Sequence, residues 1–211
     1  MKSGMPVLCQ EGEKRQRLVN IRIQGGFTLV ELMVVLSIAA ILMAIGIPSY
    51  TSFITSSNIS AETTALLGDL QYARSQSIKQ GYPVSVCAAD TSGTVGTYAC
   101  NGTANWQNGW ITYTGNTTGV IAAANVLRIQ SPLTTTDTLG STSTPAVYQW
   151  CFNNFGFPTI NYNAEANSCG PPTAKGSVTV APGSGTVTSQ TVCISAVGSM
   201  QTVAGGNSEC P

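Results

Sequence analysis

An α+β fold, a long helical spine against an antiparallel β globule, is predicted by three features of this 211-residue chain. An apolar run of 21 residues, Phe27 to Ile47, passes without a turn signal into an amphipathic stretch that reaches Gln80. Short β-rich runs then follow one another, separated by segments rich in Gly, Ser, Thr, Asn and Pro, which favours hairpins over helical crossovers. The length supplies one sizeable core rather than two large ones.

The first 26 residues are set apart by charge. They hold Lys2, Lys14, Arg15, Arg17 and Arg22 against Glu11 and Glu13, a net of +3. The remainder has four bases (Arg74, Lys79, Arg128, Lys175) against seven acids, a net of −3. The basic cluster just before an apolar run long enough to span a bilayer predicts an N-in, C-out anchor by the positive-inside rule. A secretory signal would end in a small-residue cleavage site, which is missing here. Cys9 also lacks the small neighbour that a lipid-modified cysteine needs, since Pro6, Val7 and Leu8 precede it.

Inside the apolar run stands one carboxylate, Glu31. In a spanning helix it costs about 2 to 4 kcal/mol near the bilayer centre and less toward the edge. Gly46 and Pro48 lie at the end of the run, where a missing amide and a weak helix former predict a kink or local melt. Beyond Pro48, Ile59, Leu66, Leu70, Ala73 and Ser77 recur at helical spacing with Glu62, Asp69 and Gln76 assigned to another face. Gly81 and Pro83 give the stop. Residues 28 to 80 then read as one kinked helix, near 80 Å at about 1.5 Å per residue.

Strands are predicted at Pro83–Cys87, Gly109–Thr114, Val126–Gln130, Val147–Phe152, Ser177–Val180 and Thr191–Ser195. The stretch Ser131 to Pro145 reads as a long loop. The chain therefore divides into residues 1–26 (leader), 27–47 (transmembrane helix), 48–80 (amphipathic helix) and 81–211 (β-rich domain).

Chemistry is sparsely represented. With no histidine, the usual neutral-pH base and the commonest metal ligand are missing. No GxSxG, GxGxxG or Walker pattern occurs, so no enzyme activity and no cofactor are expected. Seven cysteines are present; Cys9 falls in the leader, and Cys87, Cys100, Cys151, Cys169, Cys193 and Cys210 remain. An even number in an exported domain implies disulfides, with fifteen possible pairings. Pairing near neighbours gives Cys87 with Cys100, Cys151 with Cys169 and Cys193 with Cys210, each stapling a loop between or after short strands. A metal site is disfavoured by the lack of CxxC and histidine.

The segment Gly25-Gly26-Phe27-Thr28-Leu29-Val30-Glu31 resembles the leader junction of type IV pilins and pseudopilins. That resemblance implies cleavage between Gly26 and Phe27 by a prepilin peptidase, N-methylation of Phe27 and a mature chain of 185 residues. It also implies that Glu31 pairs with the terminal amine of a neighbouring subunit. The alternative is a carboxylate that snorkels to the interface. The Gly46/Pro48 pair would, by the same resemblance, let the helix unwind in a filament, with a simple kink at the membrane exit as the alternative.

Further along, Ala73-Arg74, Ile78-Lys79, Gly81 to Cys87, Trp106, Gly109-Trp110-Ile111 and Phe155-Gly156-Phe157-Pro158 resemble the GspH/FimT family of minor pilins and pseudopilins. Core packing is favoured over ligand stacking for Trp106 and Trp110. The implied function is that of a minor pilin of a type IV pilus, anchored in the inner membrane with a periplasmic domain and entering a priming or tip complex. Its partners would be the prepilin peptidase, other minor and major pilins, the inner-membrane assembly platform and the lipid bilayer. The alternatives are a minor pseudopilin of type II secretion and a DNA-uptake pilin. Against nucleic acid as a partner, Ser199, Met200 and Gln201 stand where competence members carry arginines after the glycine, although Arg128 and Lys175 could still meet in space.

Overall fold

The structure, a computed structural model, describes residues 26–90, 98–117, 119–133, 135–141, 143–160, 169–170, 175–183, 186–205 and 210. Most of the expected leader, including Cys9, lies outside the described residues. The chain forms two units, one ending at Ala44 and one beginning at Ile45.

A single helix, α1, is assigned from Leu29 to Gln80 and runs through Gly46 and Pro48 without a break. Its N-terminal residues are apolar around the whole girth and exposed. Within the second unit the helix buries one face, made by Ile59, Glu62, Thr63, Leu66, Leu70, Ala73 and Ser77. Steps of three and four residues bring these onto one stripe. Glu62 belongs to that stripe, which corrects its expected place on the solvent face. It closes the turn between Ile59 and Leu66, and its aliphatic stem is carried inward with them.

Eleven strands are assigned among the described residues: β1 (Val84–Ala88), β2 (Tyr98–Ala99), β3 (Trp110–Thr114), β4 (Val120–Ile121), β5 (Val126–Gln130), β6 (Thr138–Gly140), β7 (Gln149–Phe152), β8 (Pro158–Ile160), β9 (Gly176–Ala181), β10 (Gln190–Ile194) and β11 (Met200–Ala204). They make a five-stranded sheet ordered β5-β3-β1-β7-β8, a four-stranded sheet ordered β11-β10-β9-β6, and the pair β2-β4. Every pairing is antiparallel. All six runs expected as strands form strands. The expected loop from Ser131 to Pro145 contains β6, whose three residues pair with β9 from Thr138 opposite Ala181 to Gly140 opposite Thr179.

The period of two along each strand divides the core. Val84, Val86 and Ala88 of β1, Trp110 of β3, and Trp150 and Phe152 of β7 join Ile59, Leu66, Leu70 and Ala73 of the helix. Val178, Val180, Val192 and Ile194 bring the second sheet into the same core. The opposite face of β1 and β3 carries Cys87, Ile111 and Tyr113, which pack with Ala89, Cys100 and Ile121 in a smaller cluster. Strand β1 is buried along its whole length because both faces are covered. Gly109, at φ 86°, is required just before β3: a Cβ there would lie 2.1 Å from the Gln130 carbonyl oxygen.

Candidate functional site

The N-terminal end of α1 is built by its first residues. Thr28 precedes the helix and its Oγ1 accepts a hydrogen bond from the Glu31 amide at 3.2 Å, while the Leu32 amide donates to the Thr28 carbonyl. Thr28 is thus an N-cap, with Glu31 at the third helical position. The sequence carries this signal as Thr-x-x-Glu at Thr28 and Glu31. Glu31 lies in the first turn, where the helix dipole favours a negative charge. Gly26 and Phe27 sit just ahead of the cap, both exposed. Glu31 is four positions beyond Phe27, which itself precedes the helix.

From Leu29 to Ile47 the large apolar side chains are all more than half exposed. The helix is long and apolar enough to cross a membrane. A helix that is apolar all round needs lipid or other helices around it. At Pro48 the missing amide leaves the Ala44 carbonyl without its usual partner, and the Pro48 carbonyl accepts the hydroxyls of Thr51 and Ser52, both at 3.0 Å.

Within the globular unit, three side-chain ties join α1 to the sheets. Asp69 accepts the Trp110 indole N–H at 2.8 Å through one oxygen and the Arg128 guanidinium at 2.9 Å through the other. Arg128 also stacks on the Tyr72 ring, 3.8 Å from its centroid. Arg74 donates to the carbonyls of Gly156 at 3.1 Å and Gly198 at 2.7 Å. Glu62 accepts the Thr135 hydroxyl at 2.6 Å. These ties give Glu62 and Asp69 structural roles in fastening the helix. Their partners lie dozens of residues away, so local pattern gave no sign of them.

Trp106 and Trp110 are both fully buried in the core. Trp106 donates to the Val147 carbonyl at 2.8 Å and packs on Trp150 with ring centroids 5.1 Å apart. The two bases considered for a nucleic-acid face have separate engagements: Arg128 holds Asp69, and Lys175 donates to the Cys210 carbonyl at 3.0 Å. The disulfides join Cys87 to Cys100, Cys151 to Cys169 and Cys193 to Cys210, with Cα separations of 5.6, 5.6 and 5.5 Å. Each fastens a central strand, β1, β7 or β10, to a segment outside the sheet's own ladder. Gln149 donates to the Tyr113 hydroxyl at 2.9 Å and to Asn116 at 3.0 Å, and Tyr113 donates to the Thr117 carbonyl. Burial holds the Tyr113 phenol well above its ordinary value.

The family described as type II transport protein GspH matches residues 62–198, which is 137 of the 211 residues. The chain belongs to the GspH family. The prokaryotic N-terminal methylation motif matches residues 21–47. A fimbrial protein, EcpC of Eikenella corrodens, is 38% identical over 104 residues, covering 47% of this chain and 67% of that protein. The type IV minor pilin FimU of Pseudomonas aeruginosa has a similar fold in one crystal form, with TM-score 0.50, 21% identity, and coverage of 74% of this chain and 99% of that one. A second crystal form of FimU aligns at TM-score 0.47 and 21% identity, over 71% and 99% of the two chains.

The GspH match begins at Glu62 and ends at Gly198, so Asp69, Arg74, Trp110, Arg128 and Gly156 all fall within it. Arg74, Gly156 and Gly198, dispersed along the GspH sequence, meet at one point of the fold. Gly156 and Gly198 have φ of 80° and 82°, and a Cβ on Gly198 would lie 2.8 Å from the Gly156 carbonyl oxygen. The methylation motif covers Gly26, Phe27, Glu31 and Gly46 and stops one residue short of Pro48. The chain is a pilin-fold protein with a long apolar N-terminal helix, its C-terminal part packed on antiparallel sheets.

Proposed function

We propose that this protein is a minor pilin of a type IV pilus. It is held in the inner membrane by residues 27–47, with the amphipathic helix 48–80 and the β-rich domain 81–211 in the periplasm. A prepilin peptidase removes residues 1–26 by cutting between Gly26 and Phe27, and Phe27 becomes N-methylated. The protein then joins other minor pilins and the major pilin through α1, at the inner-membrane platform, in a priming or tip complex.

The observation that carries this reading is the exposure of the apolar helix from Leu29 to Ile47 with a single carboxylate in its first turn. Lipid suits the apolar girth but penalises an ionised Glu31. A filament suits both, because neighbouring helices cover the apolar surface and the new amine of an adjoining subunit pairs with the carboxylate. Gly46 and Pro48 supply a weak point where packing in the filament can unwind the helix. The three disulfides fasten the β-rich domain into a body suited to contacts with partners.

The test is coexpression with a prepilin peptidase followed by mass spectrometry. Loss of 26 residues and a methyl group on Phe27 are expected, with the protein recovered in sheared filaments. An intact leader and no trimmed species would remove the filament reading. The description of the matched family supports a second reading, a minor pseudopilin of type II secretion. Deletion in the native host separates them: loss of surface pili with normal secretion supports the first, and loss of secretion with normal pili supports the second.

A further inference from the structure

The middle of α1 carries a buried acid that the assembly reading does not use. Glu62 is 8% exposed and Asp137, just before β6, is 5% exposed. Each has one oxygen engaged: Glu62 Oε1 accepts the Thr135 hydroxyl, and Asp137 Oδ1 accepts the Gly183 amide at 3.2 Å. The other oxygens, Glu62 Oε2 and Asp137 Oδ2, are sealed from solvent and have no hydrogen-bond partner among the described residues. A buried acceptor without a donor is costly, and an ionised one more so. Thr135, the partner of Glu62, stands two residues before Asp137, and the charge of Asp137 acts on Glu62, so the two orphan oxygens belong to one neighbourhood.

We propose that Glu62 and Asp137 hold one proton between them, Glu62 Oε2–H donating to Asp137 Oδ2, so that α1 is clasped to the segment leading into β6. One proton satisfies both orphan oxygens and removes one of two like charges from the interior. A divalent cation is the other way to neutralise the pair, but it asks for six or more oxygen ligands and a path for hydration water, and both oxygens are closed to solvent.

The electrostatics agree. The Glu62 carboxyl is pushed above its ordinary value of 4.5 first by burial; the Thr135 hydrogen bond opposes this, and the negative charge of Asp137 adds to it. Asp137 is the charged group acting on Glu62 from the packed segments, Thr135 beside it is neutral, and no basic side chain is among the hydrogen-bond partners of either acid. A carboxyl whose folded value exceeds its unfolded one stabilises the fold fully below about pH 4.5. That contribution is lost as the pH climbs through the raised value. The clasp therefore tightens on acidification and loosens toward neutral and alkaline pH.

The experiment uses the full chain in detergent micelles. Glutamate carboxyls labelled with ¹³C are titrated by NMR, with the Glu62 signal identified by its loss in Glu62→Gln. The Glu62 carboxyl is expected to titrate above 4.5 in the wild type, and at lower pH in Asp137→Asn, whose amide can donate to the carboxylate. Thermal melts at acidic and neutral pH run alongside. Glu62→Gln, a permanent mimic of the protonated acid, is expected to match or exceed the wild type near neutral pH by about 2–4 °C and to lose that margin in acid, whereas Glu62→Ala melts lower throughout. Titration of Glu62 at its ordinary value, or an unshifted midpoint in Asp137→Asn, overturns the shared proton. So does a rise in melting temperature with added calcium or magnesium chloride that Glu62→Gln abolishes, since that marks a bridging cation. Should Glu62→Gln fail to fold, the Glu62 signal is assigned as the one displaced by Asp137→Asn, and the wild-type titration still decides.

Discussion

Trp110 and Asp69 are locked together across the helix–sheet junction, the buried indole N–H pointing at one carboxylate oxygen while Arg128 holds the other. The indole is completely buried and Asp69 is its hydrogen-bond acceptor. Asp69→Ala is expected to destabilise the domain by about 1–3 kcal/mol, because it strands a buried donor. Arg128→Ala removes only the half-exposed partner and is expected to have a smaller effect that fades with added salt. Thermal melts of both variants at low and high ionic strength separate the two contributions.

Tyr113 gives a pH prediction. Its phenol is raised above the ordinary value of 10, chiefly by burial. A folded value above the unfolded one favours the fold while the phenol is neutral, and that advantage is lost as pH rises beyond 10. In a spectrophotometric titration at 295 nm, one of the seven tyrosines is expected to stay neutral until the alkaline unfolding step. Tyr113→Phe removes that late component and lowers stability by about 1–2 kcal/mol through the loss of the Gln149 and Thr117 bonds.

The meeting of Arg74 with two glycine loops is expected to be intolerant of small changes. Gly198→Ala places a Cβ against the Gly156 carbonyl in a left-handed conformation, and a loss of about 1–3 kcal/mol is expected. Gly102→Ala, with φ 65° but open space, serves as the control and should lose less. Arg74→Lys keeps the charge but cannot reach both the Gly156 and Gly198 carbonyls with a fixed fork. Its melting point is expected to fall toward that of Arg74→Ala.

At the N-terminus, Glu31→Ala is expected to leave leader removal largely intact and to reduce incorporation into sheared filaments. Thr28→Ala is expected to weaken only the first turn, by about 1 kcal/mol, without a comparable loss of incorporation. Normal incorporation of Glu31→Ala would exclude charge pairing as the function of that carboxylate. Immunoblots of cell and filament fractions measure both.

The spine and the six principal strands were legible because each is written locally. A long apolar run, a stripe at helical spacing and alternating β-branched residues need no knowledge of distant contacts. Glu62 was misplaced for the opposite reason: chemistry put it outside, while its position between Ile59 and Leu66 puts it on the buried stripe, with its Thr135 partner far along the chain. Strand β6 is three residues in a Ser/Thr-rich stretch, and its extended form comes from pairing with β9 rather than from its own propensity. The helix start was readable as Thr-x-x-Glu, yet Glu31 drew attention as a charge in lipid rather than as the third residue after a cap. Arg74, Gly156 and Gly198 were each visible as residues, but their convergence is a property of the folded topology.

On the proposed reading, the uncovered hydrocarbon on every side of the first helical turns restricts how such a subunit can travel. A rod greasy around its full circumference has no wettable flank on which to rest, so a free aqueous intermediate between bilayer and polymer is closed to it. Under the proposed assembly, recruitment would proceed sideways, acyl chains being exchanged for the side chains of the next rod. On that reading a soluble escort is unnecessary.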